Sequence, residues 1–464
     1  MTPKSIYLRS FSFLSLALPA SADVIYSNLQ NITIPATYDG VYLNVETGAW
    51  NTDMFAPVAG WDINPYFGGS VLFNSPDFQP VRSGTGNLDA VLNLSAGTTV
   101  GSGSIFSTFL QGPGGINPGG PGYGGSQTHM GNGTGQFPSG TEGYFGFRLN
   151  GTNYGSMRVV FTNNTSGAVI KDWAYDTSGA SVQAGAIKQV GQDIILSTGF
   201  TLASTSALVN SGGATNLVKN GSGTNILKST STYTGTTGIT AGTLAVNGSG
   251  SINATSSISV SAGARLIYNS STALTVGPTL NGNTIADRAV LGGTGTIDSA
   301  VILNDVGDTL SPGAGPGAGI QNFTPAQTWS SFSYDWEIKN FTGTTAGAAF
   351  DQIGLGSTLN LSGGSGSYIL NVLGLTAGDL SGLVPNFDEI DRSWNILTST
   401  STITGFNAAN WTINTTGFTD TFTGNWALAQ SGNNLVLSYT AVPEFNVAAL
   451  IGGFGVLALL RRRR

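Results

Sequence analysis

The sequence contains no cysteine and a single histidine, His129. A disulfide framework, a thiolate nucleophile and a zinc–cysteine site are therefore excluded, as is a cage built from several histidines. Charge is also scarce. Only 9% of the 464 residues are Asp, Glu, Lys or Arg, against about 25% in ordinary soluble domains. A coiled coil or charged helical bundle needs those side chains to solvate its outer faces, so neither fits. Six of the 17 basic residues lie at the ends: Lys4, Arg9 and Arg461, Arg462, Arg463 and Arg464. The body from Asp23 to Thr440 then holds 11 basic and 23 acidic residues, net −12. A body of that sign repels nucleic acid and anionic lipid.

What is present points the other way. There are 68 glycines, and hydrophobic residues make up 40% and aromatics 10%, too many for a disordered chain. Gly, Thr, Ser and Asn disfavour helices and favour strands joined by tight turns. A mostly β protein of two or three domains is expected at this length.

Both ends read as targeting segments. Lys4 and Arg9 precede the short apolar run Ser10–Leu18; Pro19 breaks it, and Ala20-Ser21-Ala22 supplies the small-x-small pattern of a signal-peptidase site before Asp23. At the other end, Val442, Pro443, Glu444 and Phe445 lead into the apolar segment Val447–Leu460 and then Arg461–Arg464. Fourteen helical residues reach roughly 21 Å, short of the ~30 Å hydrocarbon core. With the arginines held on the cytoplasmic side, such a segment suits a temporary stop. The motif, the short glycine-containing apolar segment and the arginine cluster resemble a PEP-CTERM sorting signal, with Phe445 departing from the second proline usual in that motif. The resemblance implies recognition and cleavage by the membrane enzyme exosortase, a transient membrane intermediate, and delivery to the cell surface or exopolysaccharide of a Gram-negative bacterium.

Between the ends, three regions are expected. Residues 23–200 carry period-2 strands in Gly143–Leu149, Ser156–Phe161 and Val169–Tyr175, with turn chemistry at Asn153–Gly155 and Asn164–Gly167. They predict an antiparallel, sandwich-like β domain, and they resemble an N-terminal domain common in PEP-CTERM proteins. Gly112–Gly135 holds eleven glycines in 24 residues and reads as a long surface loop; Gly120, Gly122 and Gly125 match a dinucleotide fingerprint but lack its strand and helix. Residues 201–320 repeat a short strand, a glycine corner and a second strand, as in Leu217–Leu227, Thr232–Asn247, Ile258–Leu266 and Val301–Leu310. This wording resembles the autotransporter-associated β-strand repeat, which implies a short parallel β-helix. Residues 321–440 return to aromatic strands and resemble the β-rich cap that follows the repeat in PEP-CTERM proteins, which would cover the solenoid's open end; residues 441–464 are expected to form the sorting signal with its short membrane helix.

Chemistry is sparse. A glycosidase needs paired carboxylates, yet no Asp or Glu lies between Asp193 and Asp287. Asp305 and Asp308 read as a turn. Asp335 and Glu337 share one strand face, expected to be solvated, with Tyr334 and Trp336 buried behind them. Asp388, Glu389 and Asp391 read as a solvated loop without calcium-loop spacing. His129 has no neighbouring nucleophile, and Tyr123 reads as loop packing rather than a sugar platform. No catalytic residue, metal site or cofactor is expected. The reading is a structural or adhesive surface protein, processed at Ala20, Ala22 and Asp23 and sorted through Val442, Pro443, Glu444 and the terminal arginines. The alternatives are an exopolysaccharide-binding module, with the N-terminal domain as lectin, and a carbohydrate-active enzyme.

Overall fold

The computed structural model describes residues 22–442, apart from 75, 86–88, 107–123, 130–136, 163, 200, 314, 316 and 365. Regular structure there is strand, save one 3-10 turn at Ala408–Asn410. The chain divides into two compact units. The first runs to Gly191 and includes Ile195–Ser206; the second takes Gln192–Ile194 and everything from Ala207.

In the first unit, Phe78–Pro80, Glu142–Leu149, Asn153–Val160 and Ala168–Asp176 pair antiparallel in that order. Ala22–Tyr26 and Ile32–Ile34 both pair with Ala168–Asp176, and Leu202–Ser204 joins Ala22–Tyr26 in parallel. A second antiparallel sheet holds Trp50–Asn51, Tyr42–Leu43, Ile63–Tyr66, Ser70–Phe73 and Gly124–His129. The alternation read in the sequence places Phe145, Phe147, Leu149, Met157 and Val159 in one core, where they meet Leu43, Ile63, Val71 and Phe73 of the second sheet.

Two local expectations change. The turn before the strand at 153 lies at Asn150 and Gly151, both left-handed (φ 52° and 76°), so Asn153–Gly155 begin the strand instead. Asn and Gly accept that conformation at little steric cost. Within the glycine-rich stretch, Gly124–His129 is a strand, paired through Ser70↔His129 and Val71↔Thr128. Backbone pairing with an existing edge needs no side-chain periodicity, so the pattern did not reveal it.

One buried ion pair ties this unit together. The Arg158 guanidinium donates to both Asp172 oxygens at 3.0 and 2.6 Å and also to the Gln189 carbonyl. Tyr26 Oη and the Gln189 N–H donate to Asp172 Oδ2 as well. Burial pulls the Arg158 pKa down, but Asp172, helped by the nearby Glu142 carboxylate, outweighs this and leaves it raised.

The second unit is a parallel stack. Its longest ladder runs through Thr224–Leu227, Gly242–Gly248, Ala264–Ser270, Ala289–Gly293, Asn304–Pro312, Ser331–Ile338, Tyr368–Gly374 and Trp411–Asn414. A flanking parallel ladder pairs Asn216–Lys219, Thr236–Ile239, Ser257–Ser261 and Pro278–Asn281. Another runs through Thr296–Ile297, Ile320–Phe323, Gln352–Leu355 and Arg392–Ser399. Corners between ladders are tight. Gly263 (φ 78°) turns the chain from Ser261 to Ala264, and a Cβ on Gly242 (φ 65°) would meet the Gly221 and Gly223 carbonyls at 2.4 and 2.5 Å.

Register places Leu244, Leu266, Leu291, Leu310, Tyr334 and Leu370 in one inward column, every one of them buried. Each such side chain contributes roughly 1.5–3 kcal/mol. Parallel pairing runs on into residues 321–440: Leu310↔Tyr334 and Tyr334↔Leu370 carry the ladder onward. Later rungs are longer, and aromatic side chains fill them where leucine sufficed before. At the end, strand pairing turns antiparallel, as the hairpin Asn425–Ser431/Asn434–Thr440 closes on Arg392–Ser399 over Trp336, Phe341, Trp394 and Trp426.

Asp172→Asn leaves the buried Arg158 with only the half-exposed Glu142 carboxylate, 3.3 Å from Nη1, and is expected to cost about 3 kcal/mol in denaturant unfolding, while a joint Arg158→Met/Asp172→Leu replacement costs less.

Candidate functional site: a groove on the long parallel ladder

Alternate residues of each rung face away from the inward leucine column. On three successive strands these are Thr224 and Ile226; Thr243, Ala245 and Asn247; and Arg265, Ile267 and Asn269. Register stacks Thr243 on Arg265, Ala245 on Ile267 and Asn247 on Asn269, and Asn269 Nδ2 donates to Asn247 Oδ1 at 3.4 Å. This outward face lines a groove of about 480 Å³ that reaches Asp335, Glu337 and Leu373. At adjacent-strand spacings near 4.8 Å, the six steps from Thr224 to Leu373 cover about 30 Å. Gly292 lies within that span; a Cβ there would meet Ile267 Cδ1 at 2.9 Å, so its absence lets Ile267 lie over the backbone.

The acidic end corrects an expectation. Asp335 and Glu337 do share a strand face, with Tyr334 and Trp336 buried on the other, but that face is not solvated: their exposures are 5% and 8%. Asp335 is held by Arg288 Nη1 at 2.7 and 2.8 Å and by Asn371 Nδ2 at 2.7 Å, and Asn414 Nδ2 donates in turn to Asn371 at 2.9 Å. Glu337 accepts the Gly317 N–H at 2.8 Å. Burial raises the Glu337 carboxyl to about 7; the Gly317 bond opposes this and the neighbouring Asp335 charge adds to it. Behind them Asp351 is fully enclosed, accepting the N–H groups of Gly319 and Glu337, and burial pushes its pKa well up. Arg265 lies in the same field, and no hydrogen bond or ion pair engages its guanidinium among the described residues.

The other candidates do not converge on this groove. Asp305 and Asp308 sit in a bulge inside Asn304–Pro312 rather than in a free turn. Asp308 accepts the N–H groups of Gly282, Asn304 and Asp305, and Asp305 accepts that of Gly307. In the 388–391 loop, Asp388 pairs with Arg392, Glu389 accepts from Thr423, and Asp391 accepts the Ala441 N–H. The backbone of His129 lies in the second sheet of the first unit, and Tyr123 lies outside the described residues. Among the described residues no group of three His, Cys, Asp or Glu is placed to hold a metal ion, and no helix is long and apolar enough to cross a membrane.

Of the processing residues, Asp23 lies in the first strand, and its N–H donates to Asp176 Oδ1 at 2.7 Å. Val442 is half exposed at the end of the described chain. Ala20, Pro443, Glu444, Arg461–Arg464 and the apolar segment before them lie outside the described residues, and of Ala22 only the backbone is described. Arg265 and Arg288 were missed from sequence. Alternation puts Arg265 opposite Leu266, which was visible; its nearness to Asp335, 70 positions later, was not.

The folded chain holds the Glu337 proton up to about 7, whereas the unfolded chain releases it near the ordinary Glu value. Asp62, raised to about 6 chiefly by burial, acts in the same direction. The folded state therefore binds more protons between those limits, and these groups' stabilisation, complete below the unfolded values, falls as pH rises through about 6–7. Melting temperature is expected to be higher at pH 5 than at pH 7.5, and Glu337→Gln should narrow that difference in a thermal scan.

No family model matches the chain, and no curated protein matches it either.

Proposed function

We propose that the protein is an exported structural or adhesive component of the cell surface or surrounding exopolysaccharide, in which a sandwich-like β domain precedes a parallel β-helix with a β-rich closing end. The observation that carries this reading is the long ladder itself: eight parallel strands, six of which carry one inward column from Leu244 to Leu370. Such a stack keeps its backbone groups paired from rung to rung and offers an extended surface. The low charge and −12 body fit an exported scaffold better than a partner for nucleic acid.

The ends agree with processing by signal peptidase and exosortase. Ala441 is tied to Asp391, so cutting the chain near Pro443 leaves every ladder strand in place. Fractionation of cells making the full-length chain or a form ending at Val442 tests the sorting role of Pro443, Glu444 and Arg461–Arg464. The full chain should pass through a membrane-bound form and reach the surface at reduced size, whereas the shortened form should not be retained. Identical size, retention and secretion of the two would overturn the sorting reading.

Cleavage after Ala22 would leave the Asp23 amine where its N–H now meets Asp176, converting a neutral bond into a charge-assisted one. Asp176 also accepts from Ser178 and Ala180. N-terminal sequencing of the exported protein should begin at Asp23, and Asp176→Asn should lower its melting temperature.

A further inference from the structure

The geometry points to a binding site for a linear, uncharged glycan along the groove from Thr224 to Glu337. The inference rests on the extracellular placement proposed above and names what the scaffold holds there.

The first argument is period. The groove runs across the strands, so a ligand lying in it meets a new rung about every 4.8 Å. The first three rungs repeat similar chemistry: a central apolar strip of Ile226, Ala245 and Ile267, flanked on one side by the Thr243 hydroxyl and Arg265 and on the other by the Asn247 and Asn269 amides; the same column then continues through Gly292 and Ser311 to Asp335. A matching occupant is an extended polymer with an apolar face and hydrogen-bonding groups on both edges, its units about as long as one rung. A chain of hexoses has that form, with C–H faces on the rings and hydroxyls at their rims. An extended peptide advances about 3.3 Å per residue, so its side chains fall out of step with the rungs.

The second argument is charge. Asp335 is neutralised by Arg288, while Arg265 and Glu337 line the groove with opposite signs. Above about pH 7, where Glu337 is ionised and balances Arg265, a polyanion or polycation finds no net counter-charge, and nucleic acid is further disfavoured by the acidic body. The Arg265 guanidinium, which makes no hydrogen bond among the described residues, offers forked donors suited to vicinal hydroxyls.

Affinity of the full-length protein is to be measured by calorimetry with cellobiose and cellohexaose as neutral linear probes and with polygalacturonate as an acidic one. Cellohexaose should bind about tenfold or more tightly than cellobiose, because it engages several rungs, and polygalacturonate should bind more weakly. Thr243→Trp fills the groove from its outward face and Arg265→Met removes the forked donor; each should weaken cellohexaose binding about tenfold. Ser259→Trp, on the exposed side of the flanking ladder, should leave binding unchanged, and melting curves check that every variant is folded. The inference is overturned if neither neutral probe binds the folded protein, if polygalacturonate alone binds, or if Thr243→Trp binds as wild type does. Surface delivery is read separately by fractionation, so a protein that reaches the surface yet fails these tests refutes the groove and leaves the scaffold reading standing.

Discussion

Parallel in-register stacking is the constraint on which the second unit depends. Because each rung pairs directly with the next, a residue's neighbours above and below are its register partners, and side-chain direction is copied along the stack. Leu244, Leu266, Leu291 and Leu310 are therefore one structural feature repeated rather than four separate core positions. The same copying acts on the outward side, where Asn247 and Asn269, or Asn371 and Asn414, form amide ladders. A groove on this face follows from the pairing that builds the core behind it.

Charge is used sparingly, and part of it lies under cover. In the first unit Arg158 and Asp172 are buried together in a network closed by Tyr26 and Gln189. In the second, Asp335, Glu337 and Asp351 lie behind or within the groove, and only Asp335 has a direct cationic partner. Backbone N–H groups serve the other two. Such bonds offset part of the cost of removing a carboxylate from water, and at Glu337 burial, with the Asp335 charge beside it, still prevails and raises the pKa. A low content of ionisable residues thus coexists with an electrostatically active interior.

The stack also explains why a carboxylate-free repeat says little about its groove. The stretch from Asp193 to Asp287 supplies the apolar strip and the amides, while the acids come from a rung formed by Ser331–Ile338. Outward faces of distant segments are merged by stacking, so the groove's composition is that of the whole ladder and not of any one repeat.

The sequence by itself determined strand as the regular structure, through glycine, threonine and β-branched content, and it determined which face of each strand is apolar, through period-2 alternation at Phe145–Leu149 and Tyr334–Trp336. Those are local properties, set by side-chain direction along a few residues. Tertiary structure decided which strands become neighbours. The spacing between register partners grows from 22 residues, Leu244 to Leu266, to 43, Leu370 to Ile413, so no fixed repeat length revealed that the parallel ladder continues past residue 320. It also decided the surroundings of Asp335 and Glu337: alternation placed them together on an outward face, but whether that face met water or other segments depended on long-range packing. Direction along a strand is written in adjacent residues; burial is written in contacts between residues far apart.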